Sequence, residues 1–289
     1  MKSNFTRKQS FIIVGAVYLM ASAVGVGVYL LLPELWGFWL RLLVADVVAT
    51  AVTFIFSLIF KNASVYDPYW SVQPIVIIIG FMVGQRVTPL KLILVFVILF
   101  WGIRLTANWA YTFKSLAHED WRYRMLNEKT GKAYPLVNFV GIHLVPTLVV
   151  YLCTLPAVAL VMSGADGNIL SYLALVISLG AATVQGIADI QMHRFRKRGA
   201  GGFIRDGLWK NSRHPNYLGE VLMWWGIGIC AVTALGLSYS YLLAGAMANT
   251  ALFLFVSIPL AEGKQAKKEG YAEYKAQTRA LFPIAKKAK

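Results

Sequence analysis

Long apolar runs separated by short polar segments dominate this chain. The runs fall at roughly 10–32, 39–60, 72–85, 89–113, 137–162, 168–192, 217–235 and 239–261. A helix of about 20 apolar residues spans a bilayer, and most of the runs reach that length. The third run is short and contains Pro74, so we interpret it as a tilted or broken span or as a re-entrant segment. The pattern predicts an all-α, polytopic integral membrane helix bundle with about seven to eight transmembrane helices.

Basic residues are concentrated in alternate loops. Lysine and arginine crowd the N-terminus, the loops at 114–136 and 193–213, and the tail after Glu262, whereas the loops between them carry little charge. If all eight runs span, these four segments lie on one side, and the positive-inside rule makes it the cytoplasmic side. Seven spans would separate the two termini, so the charges favour eight spans with both termini cytoplasmic. The apolar run at 11–32 is too long for the hydrophobic core of a signal peptide, so we predict that it is retained as the first helix.

The composition supports a membrane protein and excludes a soluble domain. Of the 289 residues, 58% are hydrophobic and 14% are charged, whereas a soluble domain is about one-quarter charged. No linker divides the chain, so we predict a single membrane domain. The net charge of +15 is explained by the basic loops and does not indicate a nucleic-acid partner. The four histidines never occur in metal-ligand spacing, so no metal site is predicted.

The tail after Glu262 predicts a short C-terminal amphipathic helix on the cytoplasmic side of the membrane. Tyr271, Tyr274 and Leu281 stand there among lysines, and such a helix can lie along the membrane surface. The alternative is a solvated basic tail that only sets the topology.

The stretch at 208–226, LWKNSRHPNYLGEVLMWWG, changes from polar to apolar without a break. Pro215 suits the first turn of a helix, so the helix should begin near Pro215–Asn216. The N–H groups of its first turn would then lie beside Arg213, His214, Asn216 and Tyr217, and a helix N-terminus with fixed cations favours an anion. Glu220 follows one turn further in, where a carboxylate in apolar surroundings is costly and usually functional.

A cluster of arginines precedes the same stretch. Arg194, Arg196 and Arg198 are followed by the glycine-rich turn at 199–202. Guanidinium groups beside flexible glycines suit phosphate oxygens, although a loop that only sets topology would carry arginines too. We expect this loop and the helix entrance after it to meet in one pocket that opens to the cytoplasm.

Two polar clusters mark the N-terminal half. In NASVYDPYWS, at 62–71, either Asp67 or Tyr69 could donate a proton at a cavity mouth, since burial raises the pKa of a carboxyl; the alternative is an interfacial aromatic belt. In the stretch at 101–123, Arg104 and Asn108 share one helix face. An arginine within an apolar run usually pairs or faces a cavity, although a snorkelling side chain would also explain it.

These motifs together resemble a known superfamily. RHPNYLGE, the paired tryptophans and GYAEYKAQTRALFP resemble the C-terminal half of the steroid 5α-reductase superfamily, which includes sterol reductases and, more distantly, isoprenylcysteine carboxyl methyltransferases. DPYWS and HEDWRY further resemble its bacterial 5α-reductase-like branch. The resemblance implies a bacterial inner-membrane location, a substrate-binding N-terminal half at 1–136 and an NADPH-binding half at 137–289.

The resemblance also implies site residues. The family's cofactor positions fall on Asp189, Arg196, Asn216 and Glu220, with Gln185 and Tyr217 as neighbours. Apart from the resemblance, Arg205 and Arg213 could add phosphate contacts, and His214 lies beside the same helix entrance. In the substrate half the family's Gln-Glu pair is missing. Asp67 is its implied substitute, Tyr69 or Tyr111 the implied tyrosine, and Arg104 completes the expected catalytic set.

The resulting hypothesis is an NADPH-dependent reductase of an activated C=C bond in a lipophilic substrate such as a steroid or a quinone-like ring. Hydride would reach the β-carbon, while Asp67 or Tyr69 stabilised the developing enolate. Two alternatives are a membrane methyltransferase that uses S-adenosylmethionine and a non-catalytic lipid-binding protein. The arginine-rich loop at 194–213 favours NADPH, because the methyl donor has no phosphate.

Overall fold

The computed structural model describes residues 5–199 and 201–283, and it is all-helical over that part of the chain. The α-helices are α1 Arg7–Leu31, α2 Gly37–Ile59, α3 Tyr69–Met82, α4 Pro89–Thr112, α5 Trp121–Thr130, α6 Tyr134–Val137, α7 Val145–Met162, α8 Ile169–Lys197, α9 Pro215–Leu235, α10 Ala244–Leu252, α11 Ile258–Gln265 and α12 Tyr271–Gln277. Two π-helical segments, Asn138–Leu144 and Phe253–Ser257, join α6 to α7 and α10 to α11. The described residues contain no strand, only an isolated bridge between Ser212 and Arg279.

Seven helical stretches among the described residues are long and apolar enough to cross a membrane. They are Arg7–Leu31, Glu34–Ile59, Pro89–Thr112, Trp121–Met162, Ile169–Lys197, Pro215–Leu235 and Leu237–Gln265. The third apolar run forms only the 14-residue helix α3, with Pro74 inside it, and it is shorter than the roughly 20 residues that span a bilayer. The structure therefore gives the lower of the two predicted counts, and the chain is an integral membrane protein.

The described chain forms two compact units. The first contains the described residues 5–83 and 102–155, and the second contains the described residues 84–101, 156–199 and 201–283. Helices α4 and α7 each contribute to both. These units do not coincide with the predicted functional division at 136/137, which stays a prediction.

In the first unit, α1 packs on α2 through small residues. A Cβ atom at Gly25 would lie 3.2 Å from the Ala49 Cβ and 3.4 Å from the Ala45 carbonyl oxygen. Small residues at such crossings let membrane helices approach closely and gain dispersion energy. About two turns before the crossing, Tyr18 is buried and donates a hydrogen bond to the Val65 carbonyl at 2.6 Å. This bond fixes the loop that leads into α3.

In the second unit, α9 lies directly against α8. A Cβ at Gly219 would stand 2.5 Å from the Ala181 carbonyl oxygen, and one at Gly226 only 2.0 Å from the Ser178 Oγ. The backbones can approach this closely only because both positions lack a side chain. The crossing brings Gln185 on α8 beside Glu220 on α9.

Candidate functional site

The first unit contains an apolar cavity of about 240 Å³ between α1, α2 and α3. Each helix contributes a stripe spaced by three or four residues, such as Tyr18, Ser22, Gly25 and Tyr29 on α1. At 1.5 Å per residue, the lining from Tyr18 to Leu30 runs for about 18 Å along α1. Leu30 is 69% exposed, so the lining reaches the surface at the C-terminal end of α1. A site of this form suits an elongated lipophilic molecule.

One corner of the cavity is polar. Asp46, on α2, is 5% exposed and lines the cavity together with Tyr69 and Gln73 of α3. Gln73 Nε2 donates to Asp46 Oδ2 at 2.5 Å, and the Tyr69 hydroxyl donates to Asp46 Oδ1 at 3.5 Å. A carboxyl group at mid-length of an apolar span is costly and usually marks a functional position. The cavity thus pairs an apolar body with one hydrogen-bonding end.

This corner contains one predicted residue, Tyr69, and two that the sequence analysis missed. The sequence does mark Asp46, because it is the one acidic residue in the apolar second run, and such a residue usually has a function. Gln73 shows no pattern of its own. Its pairing with Asp46, 27 residues away, exists only in the folded chain.

Asp67 does not line the cavity but belongs to a second cluster at the start of α5. Tyr123 donates a hydrogen bond to Asp67 Oδ1 at 2.5 Å, and an Arg122 nitrogen lies 4.0 Å from the same oxygen. The Asp67 side chain is 17% exposed. Burial raises its pKa to about 6, although Arg122 and the Tyr123 hydrogen bond oppose the shift. Its predicted catalytic role remains a prediction.

Asp67 should make the stability of the protein depend on pH. Between about pH 4 and about pH 6 the folded chain retains a proton on Asp67 that the unfolded chain has lost. The free energy of unfolding therefore falls as the pH rises through that window. We expect Asp67→Asn to remove this dependence. Thermal unfolding in lipid nanodiscs at several pH values measures it, with Asp206→Asn as the exposed control. Parallel Tm curves for wild type and Asp67→Asn would contradict the assignment.

The remaining catalytic candidates lie elsewhere in the first unit. Arg104 and Tyr111 are both on α4; Arg104 is half-buried and Tyr111 is 52% exposed. Neither lines the cavity among α1, α2 and α3. Of the predicted catalytic residues, only Tyr69 is part of the polar corner.

In the second unit, Glu220 is the centre of a buried hydrogen-bond cluster. Its Oε2 accepts from Trp101 Nε1 at 2.8 Å and from Gln185 Nε2 at 2.7 Å, and its Oε1 accepts from Trp224 Nε1 at 2.8 Å. The Oε1 atom of Gln185 is buried without a hydrogen-bond partner. Such an orphan acceptor is costly, and a ligand that donates an N–H group would satisfy it.

The predicted start of α9 is confirmed. The helix begins at Pro215, and His214 before it has non-helical angles, φ −141° and ψ 62°. Asn216 Nδ2 donates to Asp189 Oδ1 on α8 at 3.2 Å, while the Tyr217 ring stacks on the His214 ring with centroids 5.1 Å apart. The structure thus brings four of the predicted residues together as two pairs, Asn216 with Asp189 and Glu220 with Gln185.

Arg213 and His214 are engaged by Glu262. Arg213 contacts Glu262 Oε1 through Nη2 at 2.6 Å and Nε at 2.7 Å, and His214 Nε2 lies 3.3 Å from the same oxygen. Lys275 binds the other carboxylate oxygen at 2.7 Å. We call Arg213, His214, Glu262 and Lys275 the Glu262 clamp. It attaches the α12 segment to the entrance of α9, and Arg213 would have to leave it to bind a phosphate.

The other predicted arginines are exposed. Arg196 lies near the end of α8, and Arg205 lies over the Phe203 ring at 5.8 Å. A cavity of about 130 Å³ nearby is lined instead by Gln191, Arg194, Arg198, Asp206 and Gly207. The single pocket expected from the sequence is therefore not formed by all nine predicted cofactor residues.

The C-terminal helix is present as α12, but its apolar side faces the protein. Tyr271 and Tyr274 are buried, and both pack against the Phe203 ring. Tyr274 also donates a hydrogen bond to the Trp209 carbonyl. Leu281 packs with Leu218 and Ile258. These contacts use the apolar side chains that the sequence assigned to a membrane surface.

The second unit contains groups that suit a nicotinamide dinucleotide. Gln185 Oε1 is the buried acceptor that a carboxamide N–H could fill. Four arginines, at positions 194, 196, 198 and 205, supply positive charge near the end of α8. Among the described residues, no group of three or more His, Cys, Asp or Glu side chains is arranged to hold a metal ion.

Comparison with known proteins gives a family but no activity. The sequence profile of a family described as "Protein of unknown function (DUF1295)" matches residues 53–278. An "Uncharacterized protein C594.04c" from Schizosaccharomyces pombe is 26% identical over 194 residues, which cover 57% of this chain and 56% of the relative. The match thus spans little more than half of either protein. No solved structure matches significantly.

Proposed function

The chain belongs to the DUF1295 family, and from its own cavity and polar residues we propose that it is an NADPH-dependent membrane reductase. Its substrate would be a lipophilic, steroid-like molecule with a C=C bond conjugated to a carbonyl group. The observation that carries this proposal is the apolar cavity in the first unit with the Asp46–Tyr69–Gln73 corner in its wall.

The polar corner would act on the carbonyl end of the substrate. Negative charge develops on the carbonyl oxygen when a hydride adds to the β-carbon, and a fixed hydrogen-bond donor stabilises that charge strongly in a water-excluded site. The Tyr69 hydroxyl is such a donor. Without substrate its single proton is directed at Asp46 Oδ1, and Gln73 holds the other oxygen of that carboxylate. The proton would turn from Asp46 to the carbonyl oxygen when a substrate binds. In this proposal Asp46 takes the place that the sequence analysis gave to Asp67, and Arg104 receives no role.

NADPH, when bound, supplies the hydride. In the second unit, Gln185 Oε1 and Glu220 would accept hydrogen bonds from its carboxamide. Asp189, Asn216 and Tyr217 would hold the adjoining sugar, and the exposed Arg196 and Arg205 would bind phosphate, together with Arg194 and Arg198. Arg213 and His214 would act indirectly, since the Glu262 clamp uses them to fix the start of α9.

The basic loops also support a location. Their charges favour a cytoplasmic position under the positive-inside rule, which would give the NADPH-binding arginines access to the cytoplasmic cofactor pool. We propose residence in the bacterial inner membrane with the C-terminus cytoplasmic; the N-terminus lies on the same side only if α3 crosses the membrane as an eighth span. An accessibility assay on single cysteines introduced at Lys197 and Leu237, which flank α9, would test the sidedness of these loops.

Turnover by purified protein tests the proposed function. In nanodiscs, we expect NADPH oxidation that depends on a lipophilic enone such as cholestenone, with less activity for NADH because it lacks the extra phosphate. Folded protein that binds neither nicotinamide cofactor would contradict the proposal. Binding of S-adenosylmethionine in the same assay would instead favour the methyltransferase, and binding of the enone alone would favour a lipid-binding protein.

A further inference from the structure

A row of buried hydroxyl groups leads from the loop before α3 to the cavity of the first unit. The Tyr66 hydroxyl lies 2.8 Å from Thr147 Oγ1 on α7, and that atom lies 3.0 Å from Thr50 Oγ1 on α2. All three residues are at most 2% exposed. They come from three separate parts of the chain, so only the fold brings the row together.

The row continues to the polar corner. Burial raises the pKa of Tyr69, and the Thr50 side chain, as a hydrogen-bond donor to the same hydroxyl, lowers it. The Tyr69 hydroxyl in turn donates to Asp46 Oδ1 at 3.5 Å. A hydroxyl group has a single proton to donate. Because Tyr69 donates to Asp46, it must accept from Thr50, and the same reasoning applies back along the row. The donors therefore point one way, from Tyr66 to Asp46.

The hydrogen bonds of Thr50 and Thr147 differ from those of neighbouring threonines. Thr53 and Thr154 are fully buried on the same helices, and each donates to a backbone carbonyl of its own helix, at 2.7 and 2.8 Å. That bond is the simplest way to satisfy a hydroxyl in an apolar span. Thr50 and Thr147 bond each other instead. Satisfying buried polar atoms therefore does not by itself explain the row.

The outer end of the row lies in an irregular region. The Tyr66 ring packs against His143, with centroids 4.7 Å apart, inside the π-helical segment Asn138–Leu144. His143 Nδ1 lies 3.0 Å from the Asn138 carbonyl and so carries the proton, while its buried Nε2 has no hydrogen-bond partner. π-Helical turns within α-helices are frequent at functional positions. Asp67, next to Tyr66, is partly exposed to water.

We propose that Tyr66, Thr147, Thr50 and Tyr69 form a proton relay that resupplies the polar corner of the cavity. The inference rests on the proposed function, in which Tyr69 gives its proton to the enolate oxygen of the reduced substrate. Tyr69 then takes a proton from Thr50, Thr50 from Thr147 and Thr147 from Tyr66. Water at the loop of residues 62–69 restores the proton of Tyr66. Each O–H bond that breaks is matched by one that forms.

Thr147→Val tests the relay, because valine keeps the shape of threonine and removes the hydroxyl. We expect kcat for cholestenone reduction to fall by about 10²-fold, the lower end of the range for proton-transfer groups, with KM unchanged. The solvent deuterium isotope effect on kcat should rise as proton transfer becomes rate-limiting. Thr154→Val is the matched control and should change neither quantity, and Thr147→Ser should restore both. Equal behaviour of Thr147→Val and Thr154→Val would overturn the relay.

A second measurement needs no turnover and separates the relay from the proposed function. The exchange of the Tyr69 hydroxyl proton for deuterium can be followed by infrared spectroscopy, with Tyr69→Phe identifying the band. We expect Thr147→Val and Thr50→Val to slow this exchange about tenfold or more, since the bonded route is cut, and Thr154→Val to leave it unchanged. Exchange at the wild-type rate in both relay variants would overturn the relay. If instead the wild-type protein reduced no enone while the relay variants still slowed the exchange, only the reductase proposal would be contradicted.

Discussion

Replacing Glu262 with glutamine is expected to lower the free energy of unfolding by about 3–5 kcal/mol, because it leaves the buried Arg213 guanidinium without its counter-charge. Both side chains are only 8% exposed. The same carboxylate also binds His214 and Lys275, so one substitution weakens every ion pair of the Glu262 clamp. Thermal or denaturant unfolding in nanodiscs measures the loss.

The matched control for this prediction is Glu273→Gln, which removes an equal charge from an exposed position on α12. We expect it to change the stability by less than about 0.5 kcal/mol, as surface substitutions usually do. The Glu262→Gln variant should also expose the segment at 271–281 to trypsin, since Lys275 and Arg279 lie within it. Equal stability of the two variants would mean that the clamp does not hold the α12 segment.

Tyr69→Phe and Asp46→Asn are expected to lower kcat by about 10²–10⁴-fold, the range for removing a group that transfers a proton or stabilises charge in the transition state. Phenylalanine keeps the ring and its packing against Tyr18 and Tyr66, so only the hydroxyl is lost. Asparagine keeps the size of Asp46 and removes its charge. Steady-state kinetics of enone-dependent NADPH oxidation measures both effects.

Tyr111→Phe is the matched control for the Tyr69→Phe variant. The sequence offered Tyr111 as an alternative to Tyr69, and the structure places it on α4 with 52% of its surface exposed. We expect its removal to leave kcat unchanged. If Tyr111→Phe were inactive and Tyr69→Phe active, the polar corner would not be the catalytic site.

Local sequence signals predicted the helices well. Apolar runs of sufficient length gave the spans, and Pro215 marked the start of α9, because both depend on neighbours in the chain. The positive-inside argument favoured one more span than the seven that length and composition support. That argument used only the charges of the loops. It could not show that α3, with 14 residues, is too short to span the bilayer.

Contacts between distant residues limited the prediction of the site. Asn216 and Asp189 were both named in advance, and the structure joins them. By contrast, the role of Glu262 depends on pairing with Arg213 across 49 residues, so the sequence showed only a basic tail after it. Asp46 stood alone in an apolar run, and only its contacts with α3 give it partners. Isolated polar residues within spans therefore merit more weight than incomplete motifs.

Photolabelling tests the central claim, that the cavity among α1, α2 and α3 is the substrate site, most directly. A diazirine derivative of cholestenone would be irradiated with the protein in nanodiscs, and the labelled residues identified by mass spectrometry. We predict labels on lining residues such as Val26, Leu42 and Phe81, competed away by unmodified cholestenone. Labels confined to outward residues such as Leu19 and Ile55, with no competition, would contradict the account.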